Sequence, residues 1–221
     1  MLSKKINFKN FSIPANDKTV KKDLKRFLGN KGELLKSLSK NYTNRYTNKL
    51  IKKLNKFKNI NIIGMGGSIL GSKAIHDFLN IKVKKKFIFI KNLKQEKIIK
   101  NDKKNLNLII SKSGNTLETL TNIEIYLKRN DVNLFITENT DNKLKKLAQK
   151  LKSDVVEHNN FIGGRYSVLS EVGMLPAELM GLKSAKFKNY NQLVNNNFFI
   201  NNLVKNVSRT LKLYKSGKYI S

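Results

Sequence analysis

Ile60-Asn61-Ile62-Ile63-Gly64-Met65-Gly66-Gly67-Ser68-Ile69-Leu70-Gly71-Ser72 is the stretch that decides the fold. A short apolar run of strand length stops at a glycine, and apolar residues at helical spacing resume at Ile69. A glycine-rich turn between a strand and a helix aims backbone N–H groups and the positive end of a helix dipole at one point, which suits a phosphate or another anion. The same glycines would equally serve a tight turn that packs a helix closely on a sheet. The stretch is not a P-loop, because no Gly-Lys-Ser/Thr follows. It also departs from the dinucleotide fingerprint: Ile69 stands at the third glycine position, and the next strand runs into Lys91-Asn92 where that fingerprint needs an acid.

The same alternation continues outward. Strands are predicted over residues 60–63, 87–90, 106–110, 132–136 and 154–156. Helices are predicted over 69–79, 95–100, 117–129 and 142–152. Strands alternating with helices of this length indicate βαβ units, hence a doubly wound five-stranded parallel sheet with helices on both faces. Ligands in such sheets sit at the carboxyl ends of the strands. Upstream, residues 1–17 have no sustained period. Leu34, Leu35, Leu38, Tyr42, Tyr46, Leu50, Ile51 and Leu54 recur at helical spacing, predicting one long amphipathic helix, or two in sequence, over 31–57. Downstream, a helix containing Pro176 is predicted over 168–182 and another over 190–214. Phe198, Phe199, Ile200, Leu203, Val204 and Leu211 would give the last helix an uncovered apolar face.

The formal net charge is +30, from 45 Lys and Arg against 15 Asp and Glu. Such a balance invites a nucleic-acid reading. The lysines are dispersed from Lys4 to Lys218 and arrive with many Asn and Ile, and no nucleic-acid motif accompanies them, so they read as a solvated surface. No apolar run reaches membrane-spanning length, and no secretory h-region follows Met1. The chain has no cysteine, which excludes disulfides and thiolate chemistry. A cytoplasmic location, no membrane, no metal and no cofactor are the expectations.

Two further loops carry chemistry. Ser111-Lys112-Ser113-Gly114-Asn115-Thr116 again closes a strand and opens a helix. Its three hydroxyls could surround a phosphate with neutral donors. Thr116 could instead simply cap the helix, but a cap needs one hydroxyl and the loop offers three. Phe161-Ile162-Gly163-Gly164-Arg165-Tyr166-Ser167 sets an arginine behind two glycines, in a chain with only five arginines. That placement suits a role needing guanidinium geometry, although an arginine after a flexible turn can also be mere surface.

Together these three loops resemble the phosphoglucose isomerase family. Gly64-Met65-Gly66-Gly67-Ser68 is similar to its Gly-x-Gly-Gly-Ser turn, Ser111–Thr116 to its phosphate loop, and Gly163-Gly164-Arg165-Tyr166-Ser167 to the signature around its catalytic arginine. The resemblance covers about residues 60–182, and Glu171 departs from it where the family carries a small or weakly polar residue. It implies a flavodoxin-like sugar-isomerase (SIS) domain over 58–160. A lead-in with helices over 1–57 would precede it, and over 161–221 the Gly-Gly-Arg segment would run into helices leading to a second such domain.

The resemblance further implies a sugar-phosphate substrate held by Ser111, Lys112, Ser113 and Thr116, with Gly67 and Ser68 lining the sugar. Arg165 would stabilise an enediolate. It also implies a homodimer in the complete enzyme, and a glutamate base downstream of this chain, so that these residues alone would be inactive. His76 and His158 match no catalytic position; His76 is expected on a helix surface, His158 in a loop, and Glu171 and Glu178 at the surface or packing edge. The alternative reading is a non-catalytic sugar-phosphate-binding module, which would have no use for Arg165.

Overall fold

The computed structural model describes residues 18–29, 37–38, 41–93, 104–188 and 195–218. Five parallel strands form one sheet: β1 (Asn59–Gly64), β2 (Lys86–Ile90), β3 (Leu106–Ile110), β4 (Val132–Glu138) and β5 (Asp154–His158), in the order β2-β1-β3-β4-β5. Each strand was legible as a run of β-branched and aromatic residues, and the expected fold class holds. The order reverses between β1 and β3. The chain therefore leaves these neighbours toward opposite sides and opens a crevice at their carboxyl ends.

Period-two alternation divides the strand side chains between two cores. Ile60, Ile62, Leu106, Leu108, Ile110, Leu134 and Ile136 pack on one face with residues of helices α2 (Asn48–Leu54), α3 (Gly67–Leu79) and α6 (Glu171–Leu179). Ile63, Ile90, Ile109 and Phe135 pack on the other with α4 (Leu117–Tyr126) and α5 (Lys143–Lys150). Three asparagines interrupt the apolar runs at one register across β1, β3 and β4. They satisfy each other laterally: Asn61 Nδ2 donates to Asn107 Oδ1 at 2.8 Å, and Asn107 Nδ2 to Asn133 Oδ1 at 2.9 Å. Paired in this way, buried amides cost little and fix the strand register.

Several expectations are corrected. Of the one long helix, or two in sequence, expected over 31–57, the single long form does not hold: among the described residues after 41 the helix is Asn48–Leu54. Residues 42–44 take no regular structure, and the Thr47 hydroxyl starts the helix by accepting from Leu50 N at 3.2 Å. The helix over 168–182 begins only at Glu171. The preceding turn, Gly164–Leu169, is a 3₁₀ segment, and Ser170 caps the true helix through Val172 N. The helix over 117–129 stops at Tyr126. The helix over 95–100 lies outside the described residues, as does the lead-in over 1–17.

A second compact unit comprises α1 (Lys18–Gly29) and α7 (Asn197–Lys215); the unit holding the sheet spans 36–188. Helix α1 was not expected, although Val20, Leu24 and Phe27 stand at helical spacing. Those three residues share a groove with Leu203, Val204, Val207 and Leu211. The apolar face of α7 is thus partly faced by α1 rather than left bare. Among the described residues, no helix is long and apolar enough to cross a membrane.

Candidate functional site

Strand register brings the first two loops together. Gly64 at the end of β1 lies beside Ile110 at the end of β3, so Met65–Ser68 and Ser111–Thr116 leave the sheet as neighbours at its carboxyl edge. The third loop docks onto the first. A Cβ on Gly67 would overlap the backbone carbonyl of Gly164, so the two backbones touch where only hydrogen fits. Ser167 seals that contact, its hydroxyl donating to Gly164 O at 2.7 Å and lying 3.2 Å from Gly67 O.

In the second loop, Ser111 is buried and its hydroxyl lies 3.0 Å from that of Thr116. Thr116 stands at the N-cap of α4 but makes no capping bond. The cap reading of that residue therefore loses its geometric support. The first N–H groups of α4 have no intrahelical partner. Ser113 is exposed, with its oxygen 3.4 Å from Asn115 N. The Lys112 ammonium turns away to Asn160 O at 2.6 Å and to Glu138 at 3.2 Å, tying this loop to the chain that leads to Arg165. Its carbonyl is spent on Glu138 N and the Thr137 hydroxyl.

The start of α5 clasps the hydroxyl loop from outside. Gly114 O accepts from Leu144 N at 3.0 Å, and the Asn115 side chain accepts from Lys143 N at 3.1 Å. Gly114 has φ 65°, and a Cβ there would overlap the Asn142 amide, so this turn demands glycine. Arg165 and Tyr166 are exposed on the 3₁₀ turn, while Ser68 and Gly67 are half-buried at the start of α3. Among the described residues no group of three or more His, Asp or Glu could hold a metal ion.

A buried polar cluster beneath the Arg165 loop was missed by the sequence reading. His158 is the last residue of β5, 1% exposed, not a loop residue; Glu171 opens α6 and is 0% exposed, not a surface carboxylate. Nδ1 of His158 lies 2.6 Å from Glu171 Oε1, and Nε2 lies 3.1 Å from Ile162 O. The Tyr42 hydroxyl donates to Glu171 Oε2 at 2.9 Å, and Asn159 Nδ2 donates to Tyr42 at 2.6 Å. Arg45 donates to Asn159 Oδ1 at 3.0 Å, and the Lys188 ammonium lies 4.2 Å from the centre of the Tyr42 ring.

Burial by itself would raise the Glu171 carboxyl. Hydrogen bonds from His158, from backbone and from Tyr42, together with the charge of His158, outweigh it and hold the group below its ordinary range. Both His158 nitrogens lie against oxygen atoms, Nδ1 against the Glu171 carboxylate and Nε2 against the Ile162 carbonyl. Nothing local in the sequence flagged the pair, whose members are thirteen residues apart. His76, by contrast, lies on α3 as expected, against Phe87 and Phe89.

The sign of the resulting pH dependence follows from that direction. A carboxyl whose folded pKa lies below its unfolded one adds stability in full above the unfolded value, and loses it as pH falls through the folded value. The thermal midpoint of the wild-type chain is therefore expected to fall between about pH 5 and pH 3. Glu171→Gln, starting lower, should fall less steeply over that window. Parallel midpoint curves for the two proteins would show that Glu171 does not carry the acid sensitivity.

The profile of the family described as phosphoglucose isomerase matches residues 13–215. The chain belongs to the phosphoglucose isomerase family. It is 40% identical over 145 residues to the glucose-6-phosphate isomerase of Methanocaldococcus jannaschii, covering 60% of this chain and 35% of that protein. It is 32% identical over 154 residues to the glucose-6-phosphate isomerase of Carboxydothermus hydrogenoformans, covering 58% and 32%. The chain thus spans about a third of the length of the curated relatives it matches. A hypothetical protein from Thermus thermophilus shares the fold at TM-score 0.64 and 21% identity, over 89% of this chain and 52% of that one. Membership of this family is what the resemblance of the motifs implied.

Proposed function

We propose that this chain carries the sugar-phosphate cradle and the enediolate arginine of an intramolecular aldose–ketose isomerase. The enzyme would interconvert glucose 6-phosphate and fructose 6-phosphate, a step shared by glycolysis and gluconeogenesis, as a cytoplasmic homodimer. The observation that carries this reading is the convergence of three loops at one sheet edge, one of them dense in hydroxyls and one presenting Arg165. The relatives named glucose-6-phosphate isomerase support the choice of substrate.

In this reading the hydroxyls of Ser111, Ser113 and Thr116, the Lys112 N–H and the first N–H groups of α4 hold the phosphate. Gly67 and Ser68 line the sugar. Moving a proton between adjacent carbons beside a carbonyl builds negative charge on oxygen, and the Arg165 guanidinium lowers that barrier as a fixed cation. The reaction also needs a carboxylate to shuttle the proton. Glu171 is not that base, because its two oxygens are committed to His158, Asn159 and Tyr42.

Titration calorimetry with fructose 6-phosphate tests the cradle. Losing one hydrogen bond to a charged group is worth about 1.5–3 kcal/mol, so Ser113→Ala should weaken binding by roughly tenfold or more. Equal binding by wild type and variant would sink the assignment of Ser113.

A further inference from the structure

We infer that the buried His158–Glu171 pair is a positioning device for the Arg165 loop, clamping both ends of the segment that presents the guanidinium; this rests on the proposed function. The two residues sit on rigid supports, the end of β5 and the start of α6, and residues 159–170 bridge them. The ion pair at 2.6 Å closes the base of that segment. The same imidazole reaches into it: Nε2 donates to the carbonyl of Ile162, the residue directly before Gly163-Gly164-Arg165. Asn159, the first residue of the segment, donates its backbone N–H to Glu171 Oε1 at 3.3 Å. The clamp thus holds the segment at its start, at the approach to the glycines and at its exit.

A greasy pair could fill this space. A buried ion pair is seldom the most stable filling, because desolvation offsets much of the attraction. What directional bonds add is a single geometry. Every oxygen of Glu171 and both nitrogens of His158 are spent on named partners, with Tyr42 and Asn159 completing the network. Other anchors flank the middle of the segment: Lys112 Nζ bonds Asn160 O, and Ile162 and Leu169 are buried. Two consecutive glycines and an exposed Arg165 leave its middle held by the Gly67–Gly164 contact and the Ser167 bonds. An arginine on so short and glycine-rich a turn can stabilise charge at one place only if the ends of the turn do not move.

The test compares wild type, Glu171→Gln and the milder Tyr42→Phe, with two probes. Inorganic phosphate reports the hydroxyl cradle alone. 5-Phosphoarabinonate adds a carboxylate where the enediolate charge would form. Glu171→Gln is expected to weaken the aldonate by about tenfold or more while leaving phosphate binding within about twofold. Tyr42→Phe should do the same to a smaller degree. Amide hydrogen exchange over residues 160–168 should accelerate by about tenfold in Glu171→Gln, with the exchange of β1 and β3 unchanged. Unchanged aldonate binding and unchanged loop exchange in both variants would overturn the inference. A parallel loss of both probes with faster strand exchange would also overturn it, since that marks a general packing role. If the wild type itself binds neither probe, the proposed function fails. The loop-exchange comparison then decides by itself whether the pair positions this segment.

Discussion

Glu171→Ala is expected to destabilise the chain by about 3–5 kcal/mol, because it removes one partner of a buried, hydrogen-bonded pair. Glu171 and His158 are essentially without solvent contact. Removing the carboxylate leaves His158 Nδ1 beside an empty space and orphans the Tyr42 hydroxyl and the Asn159 N–H as well. For a domain of this size the loss corresponds to a fall in thermal midpoint of roughly 10 °C. The pair acts as a unit, so the double variant His158→Leu/Glu171→Met should cost clearly less than the sum of the single His158→Ala and Glu171→Ala changes. Thermal unfolding of the four proteins checks this. Additive losses, or a Glu171→Ala cost below about 1 kcal/mol, would mean that the pair is not energetically coupled.

Gly67→Ala is expected to cost about 2–3 kcal/mol, at the upper end of what overpacking does in a well-filled site. The added Cβ would overlap the carbonyl carbon and oxygen of Gly164 and crowd its Cα. Those are backbone atoms, so no rotamer change relieves the clash. The relief available is to move the Arg165 segment off the first loop, breaking the Ser167 bond to Gly67 O. The control is Gly163→Ala. Gly163 has φ −67° and ψ 152°, which alanine adopts freely, and its Cβ would meet only Tyr166 Cδ2 at 3.7 Å. That variant should stay within about 0.5 kcal/mol of wild type. Urea midpoints for the two variants decide it; equal stability would show that the Gly67–Gly164 approach is not a close contact in solution.

The architecture and the three loops were readable in the sequence because they rest on local signals. Runs such as Leu106-Asn107-Leu108-Ile109-Ile110 followed by Ser111-Lys112-Ser113-Gly114 announce a strand and a loop through β-branching, period and glycine, all set within a few residues. Alternation of such units leaves little choice but a parallel sheet. Helix boundaries were less legible. Tyr42 and Tyr46 fit a helical period, yet residues 42–44 take no regular structure and the Tyr42 hydroxyl is hydrogen-bonded to Glu171, 129 positions away in the chain. Local propensity is a weak prior against such tertiary bonds.

The sequence by itself determined the strand–loop–helix order, the hydroxyl loop and the glycines before Arg165. Tertiary structure alone decided that Gly67 meets Gly164, that Thr116 bonds Ser111 instead of capping its helix, and that His158 and Glu171 are a buried pair and not surface residues. The physical reason is that burial and pairing belong to the packed chain. A histidine and a glutamate read as polar anywhere in a sequence, and only the meeting of β5 with α6 removes both from water at once.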